Sequence, residues 1–260
     1  MKSLNRFRLP GALALLLMGA LMTPAQWDKK PYTEWSEKDT QKLLEDSPWA
    51  KTQSFVANNG AMDGSGTSGR SRGNQSNNTS VGGVTGGSRL LTSQINFRVR
   101  FFSAKPVREA TCRKMALDQK GNVSEDLTSR FYNLINANFG DLIVVTIICD
   151  SEQSGGPLQE AQTLLQNQTT AKLKDNTYLE VKGQKVFLKE YQAPRGDVFG
   201  ARLIFPRLVD GKPFITPEAS EIHFYSELSS GNAASSNATP FTLNLRFKVS
   251  AMSYQGNLEY

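Results

Sequence analysis

The sequence predicts an α+β fold in which most of the chain forms an antiparallel β-sheet or sandwich packed against two or three helices. Several segments alternate apolar and polar residues with the period of two that is typical of half-buried strands. Other segments repeat apolar residues at helical spacing. Helix signals come early and strand and turn signals come late, and this order is typical of an α+β domain that ends in an antiparallel meander.

The first 25 residues have the pattern of a secretory signal peptide. Basic residues precede an apolar run from Leu13 to Met22, and Thr23 and Ala25 supply the small side chains of a cleavage site after Ala25. A run of about ten apolar residues is shorter than the ~20 that a membrane-spanning helix needs. We therefore expect an exported protein, periplasmic or extracellular, with no transmembrane span after cleavage.

The charge of the chain does not favour a nucleic-acid partner. The formal net charge is +6, but three of the basic residues lie in the signal peptide, so the mature chain carries about +3. The remaining Lys and Arg residues alternate with acidic and apolar ones, whereas nucleic-acid binding requires a concentrated basic face. We expect a protein or cell-envelope partner instead.

Residues 26–57 contain all three tryptophans and encode a short helix. Ser36 and Asp39 have the spacing of a capping box, and Pro48 stops the helix near Asp46. A helix this short is marginal unless its apolar side is docked. It either straps onto the chain's own β-rich body or docks on a separate partner, in both cases through the side chains that can share one face: Trp35, Leu43, Leu44 and Trp49.

This segment and the C-terminus together resemble a known group of proteins. The stretch YTEWSEKDTQKLLEDSPWAK and the ending LNLRFKVSAMSYQGNLEY are similar to secreted bacterial proteins, typical of acidobacteria, that pair a W(S/T)xK(D/E)…DSPWA module with a β-rich C-terminal domain. The resemblance implies export and a shared fold, and it implies no mechanism because the group has no established activity. The matched positions are Trp35, Lys38, Asp46, Ser47, Pro48, Trp49, Phe247, Met252, Tyr254, Gly256, Leu258 and Glu259.

Residues 58–89 have the composition of a disordered linker. They contain no aromatic residue and few apolar ones, so burial cannot repay the entropy of ordering them. Glycine patterns such as GxGxxG and GxSxG occur here by composition, because the strand and helix that those motifs need are missing from the flanks. The linker separates the Trp-rich segment from an α+β domain over residues 90–260.

The first half of that domain alternates strand and helix. Ile95 to Phe101 predicts a strand with one buried face. One helix opens at Pro106, a second is capped by Ser124, and a third begins near Pro157. Between the second and third helices, Leu142 to Cys149 is an unbroken apolar run, which predicts a central strand buried on both faces.

From Tyr178 onward the pattern is strand and turn. Tyr178 to Val181 and Val186 to Tyr191 predict a hairpin about a turn at Lys182 and Gly183. Three further extended segments follow, each bounded by polar or Pro/Gly-containing loops: Ala201 to Phe205, Ile222 to Leu228 and Phe241 to Val249.

Cys112 and Cys149 are the two cysteines of the chain. An even cysteine count in an exported protein predicts a disulfide, which would stabilise the fold by ~4 kcal/mol in the loop-entropy model. The alternative is two buried free thiols. A structural zinc site needs four nitrogen or sulfur ligands, so two cysteines and a single histidine predict no metal.

His223 is the only histidine, and its strand pattern places it beside Tyr225 on the wetter face. The chain shows no clustered catalytic, cofactor-binding or metal-ligating residues, so we predict no catalytic residue and no cofactor. The sequence favours an exported, non-enzymatic binding or envelope-associated protein. The alternative is a secreted hydrolase whose site is assembled from distant positions. A deep cleft with convergent polar groups near His223 or the acidic loop residues would favour the enzyme, and a filled core with a flat face would favour binding.

Overall fold

The structure is a computed structural model that describes residues 26–58, 61–68, 93–152, 156–229 and 241–260. The predicted signal peptide and most of the predicted linker lie outside the described residues. Within them, five α-helices occur: α1 Glu37–Glu45, α2 Lys105–Asp118, α3 Glu125–Ile135, α4 Gly156–Gln166 and α5 Thr170–Leu173. Short 3-10 helices cover Gln26–Lys29, Tyr32–Glu34 and Val249–Ala251.

The described strands form two larger sheets and two short hairpins. In chain order the strands are β1 Ala50–Asn58, β2 Ala61–Ser68, β3 Ser93–Phe101, β4 Leu142–Asp150, β5 Thr177–Val181, β6 Gln184–Phe187, β7 Glu190–Gln192, β8 Ala201–Pro206, β9 Leu208–Val209, β10 Lys212–Pro213, β11 Glu221–Leu228, β12 Phe241–Lys248, β13 Ser253–Tyr254 and β14 Asn257–Leu258. The six-stranded sheet has the order β2-β1-β3-β4-β8-β7, and the four-stranded sheet has the order β12-β11-β5-β6. Every strand pair is antiparallel, and the predicted α+β fold is confirmed.

The two sheets pack face to face through phenylalanines. Phe241 of β12 lies between Phe55 of β1 and Phe97 of β3, with both centroid separations at 5.0 Å. Phe101 and Phe247 meet edge to face at 4.9 Å. These are the alternating apolar positions of the predicted strands, so each inward face follows from the period of two.

The amide of Gln53 joins the open edge of the four-stranded sheet to β1. Its Nε2 donates to the Thr242 carbonyl at 2.8 Å, and its Oε1 accepts from the Asn244 N–H at 2.8 Å. A side chain here satisfies backbone groups that a neighbouring strand would otherwise satisfy, which protects an edge strand from unwanted pairing.

The central strand and the helices largely follow the predictions. Buried residues fill β4 from Ile143 to Ile147 without interruption, so both of its faces are covered. Ser36 and Asp39 form the predicted capping box of α1, and Ser124 caps α3. Arg98 and Arg100 of β3 fasten α1 to the six-stranded sheet, because Arg98 pairs with Glu45 at 3.2 Å and Arg100 Nε donates to the Leu44 carbonyl at 2.7 Å.

The structure differs from the linker prediction at Ala61–Ser68, which forms β2 and pairs with β1. The composition of the linker determines only how much free energy its side chains gain by burial. Hydrogen bonding along the exposed edge of β1 supplies order that does not depend on apolar side chains. The remaining linker residues, 59–60 and 69–89, lie outside the described part of the chain.

The predicted strand Val186 to Tyr191 is two strands in different sheets. The Leu188 N–H still donates to the Thr177 carbonyl at 2.9 Å, as in the four-stranded sheet. The next N–H, that of Lys189, donates to the Ile204 carbonyl of β8 at 2.8 Å. The chain therefore crosses from the four-stranded to the six-stranded sheet between β6 and β7. Within the described ranges, no helix is both long and apolar enough to cross a membrane.

Candidate functional site

The side chains expected to dock the Trp-rich segment lie in the protein's own core. Trp35, Leu43, Leu44 and Trp49 are each 2% exposed or less. They belong to the same apolar cluster as the phenylalanines between the sheets. In this structure the segment is a strap on its own body, and these four residues offer no surface to a separate partner.

The two ends of the chain that carry the family resemblance meet at Trp49. Its indole Nε1 donates to the Glu259 carbonyl at 2.8 Å, and its ring meets Tyr254 edge to face at 6.2 Å. Glu259 in turn accepts from the Lys105 N–H at 2.9 Å through its carboxylate. These matched positions hold the N-terminal strap, the start of α2 and the C-terminal hairpin together, which is a structural role.

A buried carboxylate lies beside this junction. Glu109 of α2 is 5% exposed and accepts a hydrogen bond from the Tyr254 hydroxyl at 2.5 Å. Burial raises the pKa of Glu109, although the Tyr254 hydrogen bond and Lys105 oppose the shift. Burial and the bond to Glu109 also raise the pKa of Tyr254.

We expect Glu109→Gln to increase the free energy of unfolding at neutral pH. Because the folded-state pKa of Glu109 is raised, the protonated carboxyl group stabilises the fold. This stabilisation is fully present below the unfolded-state pKa of Glu109, and it is lost as the pH rises through the folded-state pKa. Glutamine does not ionise, so the variant does not lose this stabilisation as the pH rises, and its amide oxygen still accepts the hydrogen bond from the Tyr254 hydroxyl. Urea unfolding of both proteins at neutral pH and near pH 4 should show a difference that shrinks with acidification. A variant that is less stable at neutral pH would contradict the prediction.

The predicted disulfide is not formed, and the two cysteines are buried free thiols. Cys112 packs with Phe131 and Ile135 in a small cluster between α2 and α3, whereas Cys149 lies in the main core. The fold places the two side chains in different layers, so they do not meet. Burial raises the pKa of Cys112 to about 12 and that of Cys149 to about 11. Because the thiolate is the reactive form, both are inert at neutral pH.

The outer face of the four-stranded sheet carries an exposed phenylalanine, two half-buried tyrosines and the only histidine of the sequence. We call it the tyrosine face and define it by the outward residues of β5, β6, β11 and β12. These are Tyr178, Glu180, Lys185, Phe187, Glu221, His223, Tyr225, Glu227, Thr242, Asn244, Arg246 and Lys248.

Three rings form a row across three strands of this face. The strand register places Phe187 opposite Tyr178 and Tyr178 opposite Tyr225. Tyr178 and Tyr225 are nearly parallel, with an interplanar angle of 17° and centroids 5.1 Å apart, and Phe187 meets Tyr178 edge to face at 5.7 Å. Phe187 is 46% exposed, so this row presents apolar surface to solvent.

Polar groups flank the rings on the same face. His223 Nε2 is 2.7 Å from Asn244 Oδ1, and His223 Nδ1 is 3.8 Å from a Glu180 oxygen. The Lys185 ammonium lies over the Tyr178 ring at 4.0 Å from its centroid. Tyr225 donates to Glu227, and this bond, more than burial, raises the pKa of Tyr225 to about 12.

His223 and Tyr225 lie on one outward face, as the strand pattern predicts. Tyr178 and Phe187 are not among the residues predicted for a site. The alternation of apolar and polar residues in the predicted hairpin does indicate that Tyr178 faces away from Leu179. Among the described residues, no group of three or more His, Cys, Asp and Glu side chains is placed to hold a metal ion. On this face both imidazole nitrogens of His223 lie near neighbouring side chains, Nε2 beside Asn244 and Nδ1 beside Glu180.

Comparison with known proteins adds little to this geometry. No protein-family model matches the sequence, and no curated protein matches it. A solved crystal structure of a protein of unknown function from Burkholderia pseudomallei matches with a TM-score of 0.34 and 11% sequence identity. The match covers 56% of this chain and 73% of that chain. Likeness at this level carries no argument about function, so any inference depends on the site itself.

Proposed function

We propose that the protein is an exported, non-enzymatic binding or envelope-associated protein and that its binding surface is the tyrosine face. The observation that carries the proposal is the row of Phe187, Tyr178 and Tyr225 on an uncovered sheet face. Exposed aromatic rings gathered in a patch and rimmed by polar groups are typical of interaction sites. The N-terminal pattern of a signal peptide supports the location.

His223 is one candidate residue for the hydrolase alternative, and the geometry around it supports that alternative less well. A general base needs a nucleophile within hydrogen-bond reach. The close polar neighbours of the imidazole are an amide and a carboxylate, and neither carries a hydroxyl or thiol that the imidazole could deprotonate.

Sedimentation with insoluble envelope material tests the binding proposal. We expect the chain from Gln26 to Tyr260 to sediment with envelope fragments of the source cells, and we expect Phe187→Ala combined with Tyr225→Ala to remain in the supernatant. Tyr132→Ala is the matched control, because Tyr132 is 69% exposed but lies on α3. Sedimentation that does not depend on the tyrosine face would overturn the proposal.

Export is tested separately. We expect protein recovered from the periplasm or the medium to begin at Gln26, as N-terminal sequencing would show. Recovery of full-length protein from the cytoplasm alone would contradict the location.

A further inference from the structure

We infer that the signal peptide is removed while the chain is unfolded, and that the docking of Trp27 then makes the cleavage bond inaccessible. This inference rests on the proposed export, because it concerns the bond between Ala25 and Gln26 that export would cleave. It follows from the position of Trp27, the contacts of the residues beside it and the arginine pattern of the signal peptide.

Trp27 would be the second residue of the mature chain, and it is buried in the folded protein. Ala25 lies outside the described residues, and the 3-10 helix Gln26–Lys29 begins at the next residue. The Trp27 side chain is 9% exposed, belongs to the main apolar cluster and meets Trp49 edge to face with ring centroids 6.4 Å apart. The fold therefore holds the chain almost immediately after the cleavage bond.

Hydrogen bonds fasten the residues that follow Trp27. The Asp28 carboxylate accepts from the Gln255 N–H at 3.1 Å, in the turn between β13 and β14. The Lys30 carbonyl accepts from the Trp35 indole at 3.2 Å. The chain on the C-terminal side of the bond is therefore tied to the C-terminal hairpin and to the rest of the strap, and it cannot be drawn away without breaking these contacts.

Docking of Trp27 and cleavage of the neighbouring bond compete for the same residues. A protease cleaves chain that is extended in its active site, so a bond beside folded structure is cleaved only after local unfolding. Here local unfolding means withdrawing Trp27 from Trp49 and releasing Asp28 from the hairpin. Because burial of a large aromatic side chain is strongly favourable, the open state is rare, and the cleavage rate falls with its population.

The signal peptide pattern favours export before folding. Signals for export in the folded state carry two adjacent arginines, whereas Phe7 separates Arg6 from Arg8 in this chain. A chain that crosses the membrane unfolded presents the cleavage bond while Trp27 is still free. Cleavage therefore precedes docking, and a chain that folds first stays attached to the membrane through its signal peptide.

Cleavage of the full precursor, Met1 to Tyr260, by a purified bacterial signal peptidase in detergent micelles tests the inference. The precursor is added either directly from urea or after folding in the micelles. Mass spectrometry measures how fast the product that begins at Gln26 appears. We expect the folded precursor to be cleaved at least about tenfold more slowly than the unfolded one. Equal rates would overturn the inference.

Two variants should restore cleavage of the folded precursor. An insertion of about eight Gly and Ser residues after Gln26 adds roughly 26–29 Å of extended chain and leaves Trp27 in place to dock. Trp27→Ala removes the docked ring and should raise the rate about tenfold. Lys29→Ala is the matched control, because Lys29 is exposed in the same 3-10 helix, and it should remain as slow as the parent.

Each rate is compared with that of the same variant added from urea, which separates a change in docking from a change in the sequence preference of the peptidase. Circular dichroism confirms that each precursor is folded. If Trp27→Ala does not fold, the insertion variant still decides, because it keeps every residue of the folded protein. An insertion variant that is cleaved no faster than the parent would overturn the inference.

Failure of the inference is distinguishable from failure of the proposed export. If the unfolded precursor is not cleaved between Ala25 and Gln26, both are wrong. If cleavage occurs there at the same rate in the folded and unfolded precursors, the export proposal survives and the protection by Trp27 is wrong.

Discussion

Gly200→Ala is expected to cost about 3 kcal/mol or more of folding free energy. Gly200 has a φ of +71°, and a methyl group there would lie 2.7 Å from Ile148 Cγ1 and nearer still to the Ile147 carbonyl oxygen. The neighbour is the backbone of β4, the central strand of the six-stranded sheet, which cannot retreat without disturbing its pairing with β8. Urea unfolding monitored by circular dichroism measures the loss.

Gly183→Ala is the matched control for this substitution. Gly183 has a similar φ of +82°, but no heavy atom lies within 4 Å of the added carbon. Gly183→Ala should lower the free energy of unfolding by about 1–2 kcal/mol, which is the strain of a left-handed backbone conformation alone. The difference between the two variants measures the close approach of Gly200 to β4. Equal costs for both would show that this approach is not a feature of the folded protein.

Trp49→Ala should destabilise the protein by about 3–5 kcal/mol, a large part of the total stability of a typical domain. Trp49 is fully buried, packs edge to face with Trp27 and Tyr254, and donates to the Glu259 carbonyl. Its removal leaves a cavity, removes the hydrogen bond to the carbonyl of half-buried Glu259 and loosens the contact between the two ends of the chain. The midpoint of urea unfolding should fall accordingly.

Trp49→Phe separates the two contributions. Phenylalanine retains part of the ring volume but cannot donate a hydrogen bond, so it should show an intermediate loss. A Trp49→Ala protein as stable as the parent would mean that the strap does not hold the fold. The alternative of docking on a separate partner would then regain support.

Most of the features of the fold that could be predicted from the sequence depend on interactions between residues that are close together in the chain. The unbroken apolar run of β4 and the Ser124 cap of α3 depend on near neighbours in the sequence, and both are present in the structure. The period of two also placed His223 and Tyr225 on one outward face. Each of these patterns is set within a single strand or helix, so it does not require knowledge of the partner element.

Features that depend on pairing between distant segments were not predictable. The apolar stripe of Trp35, Leu43 and Leu44 is the same whether it docks on its own chain or on another protein. Cys112 and Cys149 have the even count from which a disulfide is predicted in an exported protein, but they are free thiols in different clusters. Ala61–Ser68 has few apolar residues to bury, yet it pairs along β1 through its backbone.

By itself the sequence determined the α+β class, the main strands and helices, and which side of each strand is apolar, because those properties follow from the period of the side chains. Only the tertiary structure decided that the tryptophan strap belongs to the core and that Phe187, Tyr178 and Tyr225 stand in one row. Their alignment depends on the register between β6, β5 and β11. Hydrogen bonds between strands set that register, and no single stretch of sequence contains them.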